Sequence, residues 1–167
     1  MNALIVYDSQ YGNTKRIAQA IAQAIGEALA CLEDVAVLQV SEVKPEQLAG
    51  LRLLVVGSPT QRFRPTPAMI SFLQSIPSSA LNGVRVAAFD TRLSVPDVTS
   101  RALSFFVWLF GPAAYAAKHI ADGLKTSGGK LIASPEGFFV ARHGRPTQRR
   151  GAGSSSDLGA DACRVYS

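Results

Sequence analysis

A short stretch near the start of the chain, Ser9-Gln10-Tyr11-Gly12-Asn13-Thr14, has the side chains of a phosphate-binding loop. Its hydroxyl and amide groups can donate hydrogen bonds to phosphate oxygens without adding charge. Gly12 lets the backbone turn and approach a ligand closely. The residue types therefore predict a site for a phosphorylated small molecule.

The neighbouring elements place this stretch between a strand and a helix. Ala3–Tyr7 is an apolar run typical of a buried parallel strand. Residues Thr14–Ala30 repeat apolar side chains at helical spacing. The first N–H groups of a helix have no intrahelical partner, and the helix dipole adds positive potential there, so such a turn binds phosphate. The alternative is an ordinary N-cap formed by Asn13 or Thr14.

Two better-known phosphate motifs are absent from this stretch. No Gly-Lys-Ser or Gly-Lys-Thr follows it, as a Walker loop would require. The three spaced glycines of a dinucleotide-binding fingerprint are also missing.

Strand and helix patterns alternate along the rest of the chain. Further strands are predicted at Asp34–Val40, Leu51–Val56, Val84–Phe89 and Lys130–Ala133, with Phe138–Val140 extending or re-entering the sheet; further helices are predicted at Pro67–Ser75 and from Gly111 to Leu124. This alternation predicts an α/β fold with a doubly wound, five-stranded parallel sheet. Ligands bind such sheets beyond the carboxyl ends of the strands, where loops 9–14, 58–66 and 90–97 are predicted to meet.

Length and composition favour one soluble domain. The 167 residues are 47% apolar, and the longest apolar run, Ala102 to Ala117, is short for a membrane span and is interrupted by Gly111-Pro112. Within it, Phe105–Phe110 is either core or an exposed partner surface. Without a secretory signal, and with only two cysteines, the cytoplasm is the expected compartment.

Over residues 2–140 the sequence resembles the flavodoxins, which bind FMN. Ser9, Gly12 and Thr14 match the flavodoxin phosphate loop, although Tyr11 replaces its middle threonine. The later matches are Gly57-Ser58-Pro59-Thr60, Phe89-Asp90-Thr91-Arg92, and Gly128-Gly129-Lys130 leading to Glu136-Gly137-Phe138-Phe139-Val140. The resemblance implies the strand order 2-1-3-4-5.

The resemblance also implies a set of cofactor-binding residues. Ser9, Gln10, Tyr11, Gly12, Asn13 and Thr14 would hold the phosphate; Ser58, Pro59, Thr60, Gln61 and Phe63 would border one side of the flavin ring, and Asp90, Thr91 and Arg92 the other. Gln61 stands where flavodoxins often have an aromatic residue, and Arg62 and Arg64 stand where many are acidic. If these arginines lie near the ring, they would favour the reduced anion and raise the redox potential. The alternative is that they belong to a solvated loop.

The resemblance implies an electron carrier that serves redox partner proteins, with no catalytic residue, no metal, and no nucleic-acid or membrane partner. Two alternatives remain open. One is a flavin-dependent NAD(P)H or quinone reductase, and the other is a flavodoxin-like module that has lost FMN and binds only a partner.

The last part of the chain, residues 141–167, departs from the pattern. It carries five arginines against two aspartates, a glycine- and serine-rich linker, and no helical stripe where flavodoxins have a final helix. We therefore expect a domain over residues 1–140 followed by a disordered basic tail, with the final helix missing. A one-base frame shift from Ala141 permits EGPLKDGELEAAAIWGQTLA, which resembles the flavodoxin ending. We interpret the tail as out of frame; the alternative is a naturally divergent tail.

Overall fold

The computed structural model describes residues 2–28, 34–93 and 116–140, which form one parallel sheet with helices on both faces. In chain order the elements are β1 (Ala3–Tyr7), α1 (Asn13–Ala28), β2 (Val35–Gln39), β3 (Leu53–Pro59), α2 (Pro67–Ser75), β4 (Arg85–Leu93), α3 (Ala116–Thr126), β5 (Lys130–Leu131) and β6 (Glu136–Val140). Short 3₁₀ turns at Val40–Glu42 and Pro45–Leu48 follow β2.

The strand order is β2-β1-β3-β4-β5, which confirms the predicted topology. The fifth position in the sheet is divided between two segments. β5 pairs with Arg85 and Val86 at the start of β4, whereas β6 pairs with the end of β4, from Phe89 to Leu93. The re-entry predicted near Phe138 is therefore β6.

Alternating side chains of the central strands enter two hydrophobic cores. In β1, Leu4 and Val6 pack with α2 and α3, while Ile5 and Tyr7 pack with α1 on the other face. The buried helix residues are Met69 and Phe72 of α2, Ile120 and Leu124 of α3, and Ile17, Ile21 and Ile25 of α1. These two cores fix the carboxyl edge of the sheet between the helices.

One glycine is required by the packing below this edge. A Cβ on Gly57 would lie 2.0 Å from the ring of Phe89, its partner on β4. Phe89 in turn makes an edge-to-face contact with Phe138 of β6, with ring centroids 6.0 Å apart. The absence of a side chain at Gly57 therefore lets β4 place a large ring under the ends of the strands.

Two strands are longer at their carboxyl ends than the sequence predicted. β3 continues beyond Val56 to Pro59, and β4 continues beyond Phe89 to Leu93. Asp90, Thr91 and Arg92 are thus strand residues rather than the start of a loop. They remain extended because β6 supplies hydrogen-bonding partners on one side and the end of β3 on the other.

The other predicted elements are in place or lie outside the described residues. The helix at Pro67–Ser75 is confirmed, and α1 begins one residue earlier than predicted, at Asn13. The described part of α3 begins at Ala116. The Phe105–Phe110 run, the predicted start of α3 at residues 111–115 and the tail at residues 141–167 lie outside the described residues.

Candidate functional site

Hydrogen bonds join the carboxyl ends of β1, β3 and β4. The hydroxyl oxygens of Thr14 and Thr91 are 2.9 Å apart, which connects the start of α1 to β4. The Thr60 N–H donates to the Thr91 carbonyl at 2.8 Å, which connects the segment after β3 to β4. The Thr66 hydroxyl donates to the Asp8 carboxylate. The structure therefore brings the three predicted segments together at one edge.

The loop before α1 presents the start of a helix to this edge. Gly12 has a φ of 81°, a left-handed conformation that glycine adopts without strain. The first bond of the helix runs from the Arg16 N–H to the Gly12 carbonyl at 3.1 Å. The N–H groups of the preceding residues consequently have no partner within the helix, and they add to its positive end.

Two polar side-chain atoms in this loop have no hydrogen-bond partner among the described residues. They are the Ser9 hydroxyl oxygen and the Asn13 amide oxygen, and both are buried. A buried polar atom without a partner costs about 1–3 kcal/mol. The Ser9 hydroxyl can donate to a phosphate, and the Asn13 amide can present either its oxygen or its NH₂ group to a ligand. The loop thus keeps polar groups available for a bound molecule.

The other loop residues differ in exposure. Thr14 is buried, and its hydroxyl is in hydrogen-bond contact with that of Thr91. A hydroxyl can form more than one hydrogen bond, so Thr14 retains the capacity for another. Gln10 is exposed, and the Tyr11 side chain is 88% exposed. At the helix start, Ser9, Gly12 and Asn13 are therefore half-buried, whereas Gln10 and Tyr11 lie on the solvent side.

The segment after β3 uses its polar groups within the protein. Ser58 is fully buried; its hydroxyl donates to the Pro59 carbonyl at 3.2 Å and accepts from the Thr66 N–H at 3.1 Å. The Thr60 hydroxyl accepts from the Ala116 N–H at 3.3 Å. Because both hydroxyls are hydrogen-bonded to backbone groups, these two side chains fix the conformation of the segment.

A two-residue hairpin follows, closed by backbone hydrogen bonds between Gln61 and Arg64 of 2.8 and 2.9 Å. Its tip residues, Arg62 and Phe63, have φ values of 46° and 67°. Both are left-handed conformations that a side chain disfavours. Phe63 is half-buried, whereas Arg62 and Arg64 are exposed. In sequence, the half-buried aromatic residue of the hairpin thus lies between two exposed arginines.

Asp90 anchors the far side of the site. Its carboxylate accepts from Arg92 Nε at 2.9 Å and from the Ala117 N–H in the first described turn of α3 at 3.1 Å, and it also bonds with Thr60. Complete burial raises the pKa of Asp90 above its ordinary value, although Arg92 acts in the opposite direction. Asp90 therefore connects β4, the segment after β3 and α3.

The Arg92 side chain is held in place from the other direction. Its guanidinium lies 5.3 Å from the centroid of the Phe139 ring, and a Cβ on Gly137 would overlap it. Only a glycine at position 137 therefore leaves room for this conformation of Arg92.

Sequence reasoning missed Asp8 and Thr66. Asp8 accepts hydrogen bonds from the Ser9 N–H, at 2.8 Å, and from the Thr66 hydroxyl. Thr66 also accepts from the Met69 N–H at the start of α2. A threonine directly before Pro67 is a helix-start signature and could have been recognised, whereas its contact with Asp8 depends on the folded arrangement.

Comparison with known proteins agrees with this geometry. A family model described as Flavodoxin matches residues 5–90. No curated protein matches the chain significantly. Among solved structures, the chain is similar to a flavodoxin from the domain Archaea, with 23% identity over 99% of this chain and 93% of that chain and a TM-score of 0.62.

Two further structures are similar at lower identity. Oxidised flavodoxin 2 from Bacillus cereus is 17% identical over 99% of this chain and 97% of that chain, with a TM-score of 0.65. Rubredoxin oxygen:oxidoreductase from Desulfovibrio gigas is 17% identical over 98% of this chain but only 35% of its own, with a TM-score of 0.69. These likenesses concern the fold. The family match, which covers more than half of the residues, shows that the chain belongs to the flavodoxin family.

Proposed function

We propose that the protein binds FMN and carries electrons between redox partner proteins. The observation that carries this proposal is the pair of buried polar atoms on Ser9 and Asn13, beside the start of α1, for which the described part of the chain offers no hydrogen-bond partner. Flavodoxins bind a flavin and pass electrons to redox partners, and FMN is the flavin whose single terminal phosphate matches one helix start.

In this proposal the chain binds and orients the flavin, which supplies the electron chemistry. The loop of Ser9, Gln10, Tyr11, Gly12, Asn13 and Thr14 holds the phosphate. Ser58, Pro59, Thr60, Gln61 and Phe63 border one side of the ring, and Asp90, Thr91 and Arg92 border the other. Because Ser58 and Asp90 are fully buried and bonded within the protein, they act by fixing the neighbouring backbone.

We also propose residues 1–140 as the flavin-binding domain, acting in the cytoplasm. In the parts of the chain that the structure describes, no helix is both long and apolar enough to cross a membrane. The partners we propose are redox proteins, as for flavodoxins in general.

The decisive experiment is a titration of the purified protein with FMN, followed by its visible spectrum. Binding is expected to shift and sharpen the flavin bands, and riboflavin is expected to bind more weakly because it lacks the phosphate. A protein that stays colourless would indicate a module that has lost its cofactor. Steady NAD(P)H oxidation with a quinone would indicate a reductase instead of a carrier.

A further inference from the structure

The edge that carries the site is also unusually basic at its surface. Lys15 in the first turn of α1, and Arg62 and Arg64 in the hairpin after β3, are exposed at this edge. We call Lys15, Arg62 and Arg64 the basic rim. Arg16, next to Lys15, is exposed as well.

The two carboxylates closest in sequence to the strand ends offset the basic rim only in part. Asp8 accepts hydrogen bonds from Ser9 and Thr66, which are neutral donors, so its negative charge balances one of the three cations of the rim. Asp90 is fully buried and paired with Arg92, so this pair presents no net charge to solvent. The carboxylates are therefore engaged inside the site, while the cations of the rim face outward.

Other acidic groups at this edge lie farther along the sheet. Glu42 follows β2, which β1 separates from β3, and its carboxylate accepts from the Gln39 N–H at 3.0 Å. Residues 94–115, which follow β4, contain one aspartate and one arginine and so carry no net charge. Among the described residues, the hairpin therefore places two cations against the single nearby carboxylate of Asp8.

The hairpin also has an unusual sequence for its backbone conformation. A two-residue hairpin with both tip residues at positive φ is normally built from Asn-Gly or a similar pair. This chain has Arg62 and Phe63 there, at φ values of 46° and 67°. Strained backbone conformations cluster at functional sites, so the strain at this hairpin supports a functional role for it.

We propose that the basic rim is the docking surface for a redox protein that presents carboxylates around its own cofactor. This inference rests on the proposed function, because it assigns the partner of the same site. Complementary charge would guide such a partner to the exposed edge of the flavin and align it there. A partner with a basic docking face would be repelled from the same edge.

The first test uses small electron acceptors of opposite charge on the FMN-loaded, chemically reduced protein under anaerobic conditions. Each electron that leaves the flavin converts one ferricyanide to ferrocyanide, or one hexaammineruthenium(III) to ruthenium(II). The rate with anionic ferricyanide is expected to fall as NaCl is added, and the rate with the ruthenium cation is expected to rise. The same salt dependence for both acceptors would overturn the proposal.

Variants then locate the charge that is responsible. Changing Arg62→Glu together with Arg64→Glu is expected to slow ferricyanide at least about tenfold at low salt. Lys125→Glu with Lys130→Glu makes the same change in net charge at the opposite edge of the sheet, and is expected to change the rate less than about twofold. Equal effects of the two double variants would contradict a local docking surface.

A second readout does not require flavin. A fluorescein-labelled polyglutamate peptide is titrated with the protein before and after FMN loading, and its anisotropy is measured. The Arg62/Arg64 variant is expected to lose affinity about tenfold, and the Lys125/Lys130 variant to retain it. Tighter binding of oligothymidylate than of polyglutamate through the same arginines would identify a nucleic acid as the partner and overturn the proposal.

The two readouts separate this inference from the function on which it rests. A chain that binds no FMN fails the proposed function, yet its peptide binding can still be measured. A chain that binds FMN and shows no rim-dependent peptide affinity retains its function and lacks this docking surface. An Arg62→Gln and Arg64→Gln variant, which only neutralises the charge, should give an intermediate effect in both assays.

Discussion

The phosphate loop at residues 9–14 and the ring-bordering segments at residues 58–64 and 90–92 use their polar groups in opposite ways. In the first, the buried polar atoms of Ser9 and Asn13 have no partner among the described residues. In the second, Ser58 and Asp90 are fully buried and their side chains are bonded to the protein. Under the proposed function, the phosphate loop keeps polar groups for a ligand, whereas those of Ser58 and Asp90 hold the ring-bordering segments in place.

This difference separates residues that bind from residues that position. A side chain whose polar atom lacks a protein partner can be changed with little effect on folding, because it stabilises nothing until the ligand arrives. A side chain already bonded inside the protein affects the ligand only through the backbone that it fixes. Each class should therefore respond differently to mutation, both in stability and in affinity.

The largest expected effect is on stability, from Asp90→Ala. This change leaves Arg92 without its carboxylate and removes the acceptor of the Ala117 N–H, so it should lower the free energy of unfolding by about 3–5 kcal/mol. Urea unfolding measures the change. Asp122→Ala removes an exposed ion pair with Lys118 and should cost less than about 1 kcal/mol. Equal losses would show that the Asp90 contacts do not hold the edge together.

The next prediction compares alanine substitutions at two serines, one in the phosphate loop and one in β3. Ser9→Ala should weaken FMN binding by about 1.5–3 kcal/mol, the usual loss of a hydrogen bond to a charged group, and leave riboflavin binding unchanged. It should not lower stability, since the Ser9 hydroxyl has no protein partner among the described residues.

Ser58→Ala is the matched control for that prediction. It leaves the buried Thr66 N–H without its acceptor, so it should lower stability by about 1–3 kcal/mol. Its effect on FMN and riboflavin should be equal, because the hydroxyl is not directed at the phosphate. If Ser9→Ala weakened both flavins equally, the phosphate assignment would be wrong.

A smaller effect of opposite sign is expected at the hairpin tip. Arg62→Gly should relieve the left-handed strain at a φ of 46° and raise the free energy of unfolding by about 1 kcal/mol. Arg64→Gly is the control, because Arg64 has no positive φ; glycine there should lower stability by about 0.5–1 kcal/mol. Thermal unfolding of both variants tests the comparison. A destabilised Arg62→Gly variant would mean that the Arg62 side chain holds the hairpin.

The sequence located the elements around residues 9–14 better than the strand ends near residues 58–64 and 90–92, for a physical reason. An apolar run followed by a helical stripe is local information, and it located β1 and the start of α1 within one residue. The end of β4 depends on β6, which is distant in the sequence, and the polar residues Asp90 and Arg92 look like a loop until that partner is known. The hairpin at Gln61–Arg64 lacks the usual turn residues and gave no signal.

The last and smallest effect is a dependence of stability on pH. Burial raises the pKa of Asp90 above 3.8, so the folded protein holds this proton more tightly than the unfolded chain does. The contribution of Asp90 to stability is therefore fully present below pH 3.8 and falls as the pH rises through its folded pKa. The difference in unfolding free energy between the wild type and Asp90→Asn should fall over that window.

Asp122 provides the comparison of opposite sign. The hydrogen bond from Lys118 lowers the pKa of Asp122, so the difference in unfolding free energy between the wild type and Asp122→Asn should rise as the pH increases towards 3.8. Urea unfolding across this range gives both differences, and slopes of the same sign would show that burial does not dominate the titration of Asp90.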